Sequence, residues 1–91
     1  MFETEIITVR YWAAAKAAAG VAEDAVPVDG PVTLRELVDA VRLLHPDQRF
    51  ADVVAVCSTL VGEQPVGSRD PTQVRVEPGQ TVEFLPPFAG G

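Results

Sequence analysis

One stretch limits the possible folds more than any other. Thr33 is followed three residues later by Glu36, the spacing of a capping box, in which each side chain satisfies a backbone N–H at a helix start. Leu34, Leu37, Val38, Val41 and Leu44 then recur at helical spacing, while Arg35, Glu36, Asp39 and Arg42 lie mainly off that stripe. His45-Pro46 ends the pattern, because the residue before a proline avoids the α region. A single amphipathic helix of roughly a dozen residues has one apolar face to bury, and one mixed sheet can cover it. At 91 residues the chain has room for one domain, and 47% apolar residues supply a small core.

The remaining segments provide the sheet. From Ile7 to Tyr11 apolar and polar residues alternate, as in a half-buried strand. Ala13 to Ala19 is alanine-rich around Lys16 and closes at Gly20, which suits a short helix with glycine just past its end. Ala25-Val26-Pro27-Val28 reads as a second strand, which Pro27 confines to an edge or a bulge. Asp47 to Asp52 reads as a connection of at most one helical turn that carries Phe50 inward. Val53 to Val61 is β-branched and reads as a central strand. After a turn at residues 62–65 and a loop over 66–71, Gln73 to Val76 is a short strand. Pro78-Gly79 is a turn, and Val82-Glu83-Phe84-Leu85 is the last strand. The order predicts an α+β fold of the β-grasp kind: four to five mixed strands on one main helix, with a short helix beside it.

Composition removes several function classes. Cys57 and His45 are the only residues of their types, too few for a zinc or iron–sulfur site. Net charge is −6 and the seven basic residues are scattered, so nucleic acid is not an expected partner. No apolar run approaches the ~20 residues of a membrane span, and the acidic start is unlike a signal peptide, so the expected location is cytoplasmic. No glycine-rich phosphate loop is present. His45 is expected to be a solvated residue favoured by the helix dipole, and Cys57 an inert, buried mid-strand thiol.

The ending is the most informative part for function. Pro86 and Pro87 cannot donate ladder hydrogen bonds and stop the last strand. Phe88, Ala89, Gly90 and Gly91 follow. Residues 1–85 are thus expected to form the domain, and residues 86–91 a slim extended tail of at most ~20 Å. The tail has a stiff base, one apolar anchor and a tip without side chains.

These residues resemble the ubiquitin-like sulfur-carrier proteins. Val9-Arg10-Tyr11-Trp12-Ala13 resembles that family's first strand and short helix, and Thr33 to Leu37 the start of its main helix. Val54 to Val61 resembles its central strand, and Phe84 to Gly91 its ending. Within the family the double proline is similar to that of small subunits of molybdopterin synthase. Thiamine-pathway carriers share the terminal Gly-Gly but generally lack the prolines. The chain departs from the pattern at Cys57, where asparagine is common, and at Leu85, where a second aromatic is common. Its loop from Pro65 to Thr72 is longer, and Pro78-Gly79-Gln80 replaces a Gly-Asp pair.

The resemblance implies a non-catalytic sulfur donor. Gly91 would be adenylated by a separate E1-like enzyme using ATP, then converted to a thiocarboxylate by a sulfur donor protein. The large catalytic subunit of molybdopterin synthase would receive it. Gly90 would give clearance in a narrow channel, and the chain itself would bind no cofactor. Leu60 and Leu85 match the family's interface positions, and with Pro86, Pro87, Phe88 and Ala89 they are the expected partner contacts. By alternation alone, Leu60 is as readily a core residue. Three other readings share the fold: a sulfur carrier for thiamine or another sulfur-transfer pathway, a protein modifier joined through Gly91 to a lysine, and a plain adaptor.

Overall fold

The structure is a computed structural model, and it describes residues 5–87. In chain order the elements are β1 (Glu5–Tyr11), α1 (Ala13–Ala19), β2 (Glu23–Val28), β3 (Val32–Thr33) and α2 (Leu34–Leu44). Then come α3 (Gln48–Val56), β4 (Ser58–Val61), β5 (Gln64–Pro65), a 3-10 turn (Pro71–Gln73), β6 (Arg75–Val76) and β7 (Thr81–Leu85). The main sheet runs β2-β1-β7-β4-β5, and β3 pairs with β6 as a separate two-stranded ribbon. Only β1 and β7 are parallel; the other neighbours are antiparallel. A mixed sheet of this order wrapped around α2 is a β-grasp.

The main helix forms as its sequence predicts. Thr33 Oγ1 accepts from the Glu36 N–H at 3.1 Å, and Glu36 Oε1 accepts from the Thr33 N–H at 2.9 Å. Leu34, Leu37 and Val41 are buried against Ile7, Val9, Tyr11, Val82 and Phe84 on one face of the sheet. α1 ends where expected: Gly20 has φ +78° and donates its N–H to the Lys16 carbonyl at 2.9 Å. β2 is an edge strand. Tyr11 N donates to the Ala22 carbonyl, and the alternation from there turns Pro27 outward, where its missing N–H leaves no ladder bond unmade.

The segment Asp47 to Val61 departs from expectation. Residues 48–56 are a helix, so the strand predicted over Val53 to Val61 begins only at Ser58, and the short connection over Asp47 to Asp52 is its first turns. The Asp47 carboxylate accepts from the Arg49 N–H at 2.9 Å, which caps the helix. Phe50 and Val54, one turn apart, are both buried, and α3 packs beside α1. Burial of that pair outweighs the β preference of Val53, Val54 and Val56. The helix count is therefore one higher than expected, and β3 is an element that sequence patterning does not mark.

Two turns fix the register of the last strands. Gly62 and Glu63 both have positive φ, +54° and +70°, which is the two-residue hairpin geometry that matches strand twist. Conformation is what favours glycine at 62; a Cβ there would lie 2.8 Å from Gln80 Nε2, the end of a flexible side chain that can move aside. Pro78 and Gly79 then turn the chain into β7, with Gln80 N donating to the Glu77 carbonyl at 3.1 Å.

Candidate functional site

The helices cover one face of the main sheet. The other face is built from the alternate residues of the same strands. Val82 and Phe84 point inward, so Thr81, Glu83 and Leu85 point outward. Register carries the pattern across: Leu60 lies opposite Glu83, and Ser58 opposite Leu85. Leu60 and Leu85 are thus diagonal neighbours on the outer face, close enough for their side chains to share one surface. Both are half-buried. Leu60 is not a core residue: Thr59 and Val61, on either side of it, face in towards Phe84 and Val82.

Trp12 joins this face, although it is not among the contact residues expected from the sequence. Its indole N–H donates to Glu83 Oε1 at 3.0 Å, and the Arg10 guanidinium lies 4.9 Å from the ring centroid. The ring is 42% exposed. A signal was present in the sequence: Trp12 follows the inward Tyr11 in an alternating strand, so alternation itself sets it on the outer side.

β7 ends at Leu85 on the outer face, and the chain leaves the sheet through Pro86, half-buried, and Pro87, exposed. The structure therefore brings together Leu60, Leu85 and Pro86. The expected contacts at Phe88 and Ala89, the clearance residue Gly90 and the reacting residue Gly91 lie outside the described residues.

His45 and Cys57 correct their expectations. His45 is 14% exposed in its side chain rather than solvated. Its Nε2 lies 2.6 Å from Asp24 Oδ2, which also accepts from the Tyr11 hydroxyl at 2.7 Å. The ring packs on Tyr11 and Phe50, at centroid distances of 5.7 and 4.9 Å. The cluster ties β1, β2 and the end of α2 together on the inner side of the sheet, away from Leu60 and Leu85. Cys57 is not within a strand. It sits between α3 and β4, half-buried, with its thiol donating to the Val53 carbonyl at 3.2 Å. Burial pushes its pKa up to about 11, so little thiolate exists near neutrality and it remains a poor sulfur acceptor. In the long loop the Arg69 side chain donates to the carbonyls of Val66 and Pro65, both at 3.1 Å, which gives the extra residues a fixed course beside β5.

Among solved structures, the fold is similar to SAMP1 from Haloferax volcanii, with TM-score 0.78 and 20% identity over 94% of this chain and 99% of that one. It is similar to a chain in the protein–protein complex of subunits 1 and 2 of molybdopterin-converting factor from Helicobacter pylori, with TM-score 0.64 and 17% identity over 94% of this chain and 99% of that one. Urm1 from Trypanosoma brucei aligns over 100% of both chains, with TM-score 0.60 and 21% identity. These likenesses establish the ubiquitin-like β-grasp fold. No curated protein matches the sequence. The ThiS family model matches residues 9–91, from the first strand through the final glycine, and the chain belongs to the ThiS family, one of ubiquitin-like sulfur carriers.

Proposed function

We propose that the protein is the sulfur-carrying small subunit of molybdopterin synthase. The observation that carries this reading is the family match running through Gly91, on a chain whose last strand delivers a double proline to the edge of an apolar patch. A carboxylate resists attack because oxide is a poor leaving group. Attack of the Gly91 carboxylate on the α-phosphorus of ATP, in the active site of an E1-like enzyme, releases pyrophosphate and leaves an acyl-adenylate. Hydrosulfide delivered by a donor protein then attacks the acyl carbon, AMP leaves as the C–O bond to the adenylate breaks, and the product is a thiocarboxylate. The large subunit takes the tail and transfers its sulfur to a pterin precursor. This chain binds no cofactor and contributes reactant and docking surface, while its partners provide positioning and electrostatics. Pro86 and Pro87 lower the ordering cost of inserting the tail. One structural neighbour is a subunit of molybdopterin-converting factor in complex with the other subunit, which is support for a large-subunit partner.

A second reading has an observation of its own. Another structural neighbour is small archaeal modifier protein 1 from Methanosarcina acetivorans, and a modifier would use the same activated Gly91 to acylate a lysine. One experiment separates the two. The full chain is incubated with ATP, the E1-like enzyme and a sulfur donor from the same source, and its intact mass is recorded. A gain equal to one oxygen replaced by sulfur at Gly91, followed by its loss on adding the large subunit and pterin precursor, is expected. Unchanged mass under conditions that convert a control carrier overturns the sulfur reading. Cellular adducts that vanish on deleting Gly91 favour the modifier.

A further inference from the structure

The outer face carries a charge that its apolar patch alone does not explain. One line of cross-strand partners runs over all five strands: Glu23, Arg10, Glu83, Leu60, Pro65. Its charged half holds two carboxylates and one guanidinium. Arg10 is held between two other groups, with Nε 3.9 Å from Glu23 Oε1 and its guanidinium 4.9 Å from the Trp12 ring centroid. Glu83 belongs to no ion pair among the described residues, and its one side-chain hydrogen bond there comes from the neutral indole of Trp12. It stands opposite Leu60 and three residues before Pro86. A protein that covers Leu60 and Leu85 must therefore cover Glu83 as well. Taking a carboxylate out of water without a compensating charge costs more than the neighbouring apolar contact returns.

We propose that Glu83 selects the partner: the large subunit, docking on this face, sets an arginine or lysine against Glu83, inside the apolar surround of Leu60, Leu85 and Trp12. The proposal rests on the sulfur-carrier reading above and adds the chemistry by which the partner is recognised. The overall charge of −6 acts in the same direction, since it draws a basic surface towards the chain before contact. A β-grasp-binding protein with a neutral or acidic side chain at that point would bury Glu83 unpaired and is rejected. Trp12 has a part in this. Its N–H holds one carboxylate oxygen, which leaves the other free to meet the incoming cation.

The test uses full-length proteins: the chain, the large molybdopterin synthase subunit and the E1-like enzyme from the same source, with binding read by calorimetry at low and moderate salt. Glu83→Gln keeps an acceptor for Trp12 and removes only the charge. It is expected to raise Kd at least about tenfold for the large subunit, and to flatten the salt dependence; an effect confined to the E1-like enzyme overturns the proposal. Glu83→Lys is expected to abolish binding. Asp39→Asn, on the exposed side of α2, should leave Kd unchanged. Melting temperatures of all variants report whether the fold is intact. Equal affinity and equal salt dependence for wild type and Glu83→Gln overturn the proposal and leave the carrier reading standing. Failure of the wild type to bind either protein overturns the carrier reading, and the proposal with it.

Discussion

The two faces of the main sheet are made by the same strands and have almost nothing else in common. On the inner face Ile7, Val9, Tyr11, Val82 and Phe84 are each no more than 2% exposed and pack under α2 and α3. On the outer face Thr8, Arg10, Thr81 and Glu83 alternate with them along β1 and β7, with Ile6 at the start of β1, Trp12 just past its end, and Leu60 and Leu85 together as its apolar members. A domain of this size has few large apolar side chains and needs nearly all of them inside. Single surface leucines are ordinary, but Leu60 and Leu85 are half-buried and set side by side by register, at the point where the chain leaves the sheet, and form a small apolar patch on a polar strand face.

Phe84 and Leu85 test that difference most directly, because they are adjacent in one strand. Phe84→Ala removes a fully buried ring that stacks at 6.3 Å on Tyr11, and should cost about 3–5 kcal/mol in urea unfolding. Leu85→Ala should cost under about 1 kcal/mol and weaken partner binding instead. Similar losses of stability from both would erase the distinction between the faces. Leu60→Asp extends the test to β4: the protein should remain folded, with a melting curve close to that of the wild type, yet no longer bind the large subunit. If that variant unfolds, Leu60 is a core residue after all.

The inner face also contains the group whose titration reports on it. Burial, and next the hydrogen bond to Asp24, push the Tyr11 phenol well above its ordinary value of about 10. Its pKa is raised in the folded state, so the unfolded chain loses this proton first. The contribution is complete below about pH 10 and declines as pH rises beyond it, by about 1.4 kcal/mol for each pH unit. Urea midpoints measured from neutrality into the alkaline range should bend downward there. In Tyr11→Phe, less stable at neutral pH because Asp24 loses a donor, that bend should be shallower. Parallel curves would mean that the phenol is open to water.

How much of this could be read from the sequence depended on whether the deciding interaction was local. The Thr33–Glu36 box, Gly20 at the end of α1 and the Pro78-Gly79 turn are fixed by neighbours within four residues, and each forms as the sequence predicts. α3 is different. Val53, Val54 and Val56 carry the local preference of a strand, and only contacts distant in sequence, Phe50 and Val54 within the core, make the segment helical. His45 departs from its expected place for a similar reason: its partner Asp24 is 21 residues away. The resemblance marked Leu60 and Leu85, both on the outer face, while alternation left Leu60 undecided until the pairing with Glu83 was known. Trp12 could have been found by the same rule. Glu83 could not, since its importance comes from the cross-strand neighbours that leave it unpaired.

The smallest predicted effect concerns the corner where the two faces meet. Between Tyr11, facing in, and the first turn of α1, the chain must turn Trp12 outward and still bury Ala15. It does so at Ala13, whose φ of +48° is one that residues with a Cβ avoid, at a cost of roughly 1–2 kcal/mol. Two anchors hold the corner: Trp12 N donates to the Phe84 carbonyl at 3.2 Å, and the indole is held by Glu83. Ala13→Gly removes the Cβ conflict. Glycine's own penalty of roughly 0.5–1 kcal/mol, which applies inside helices, is smaller at a first position. A net gain of about 0.5–1 kcal/mol is therefore expected, with the emission of the only tryptophan unchanged because both anchors remain. A loss of stability would mean that the corner relies on the Ala13 methyl for packing, and that strain is not what the outward turn of Trp12 costs.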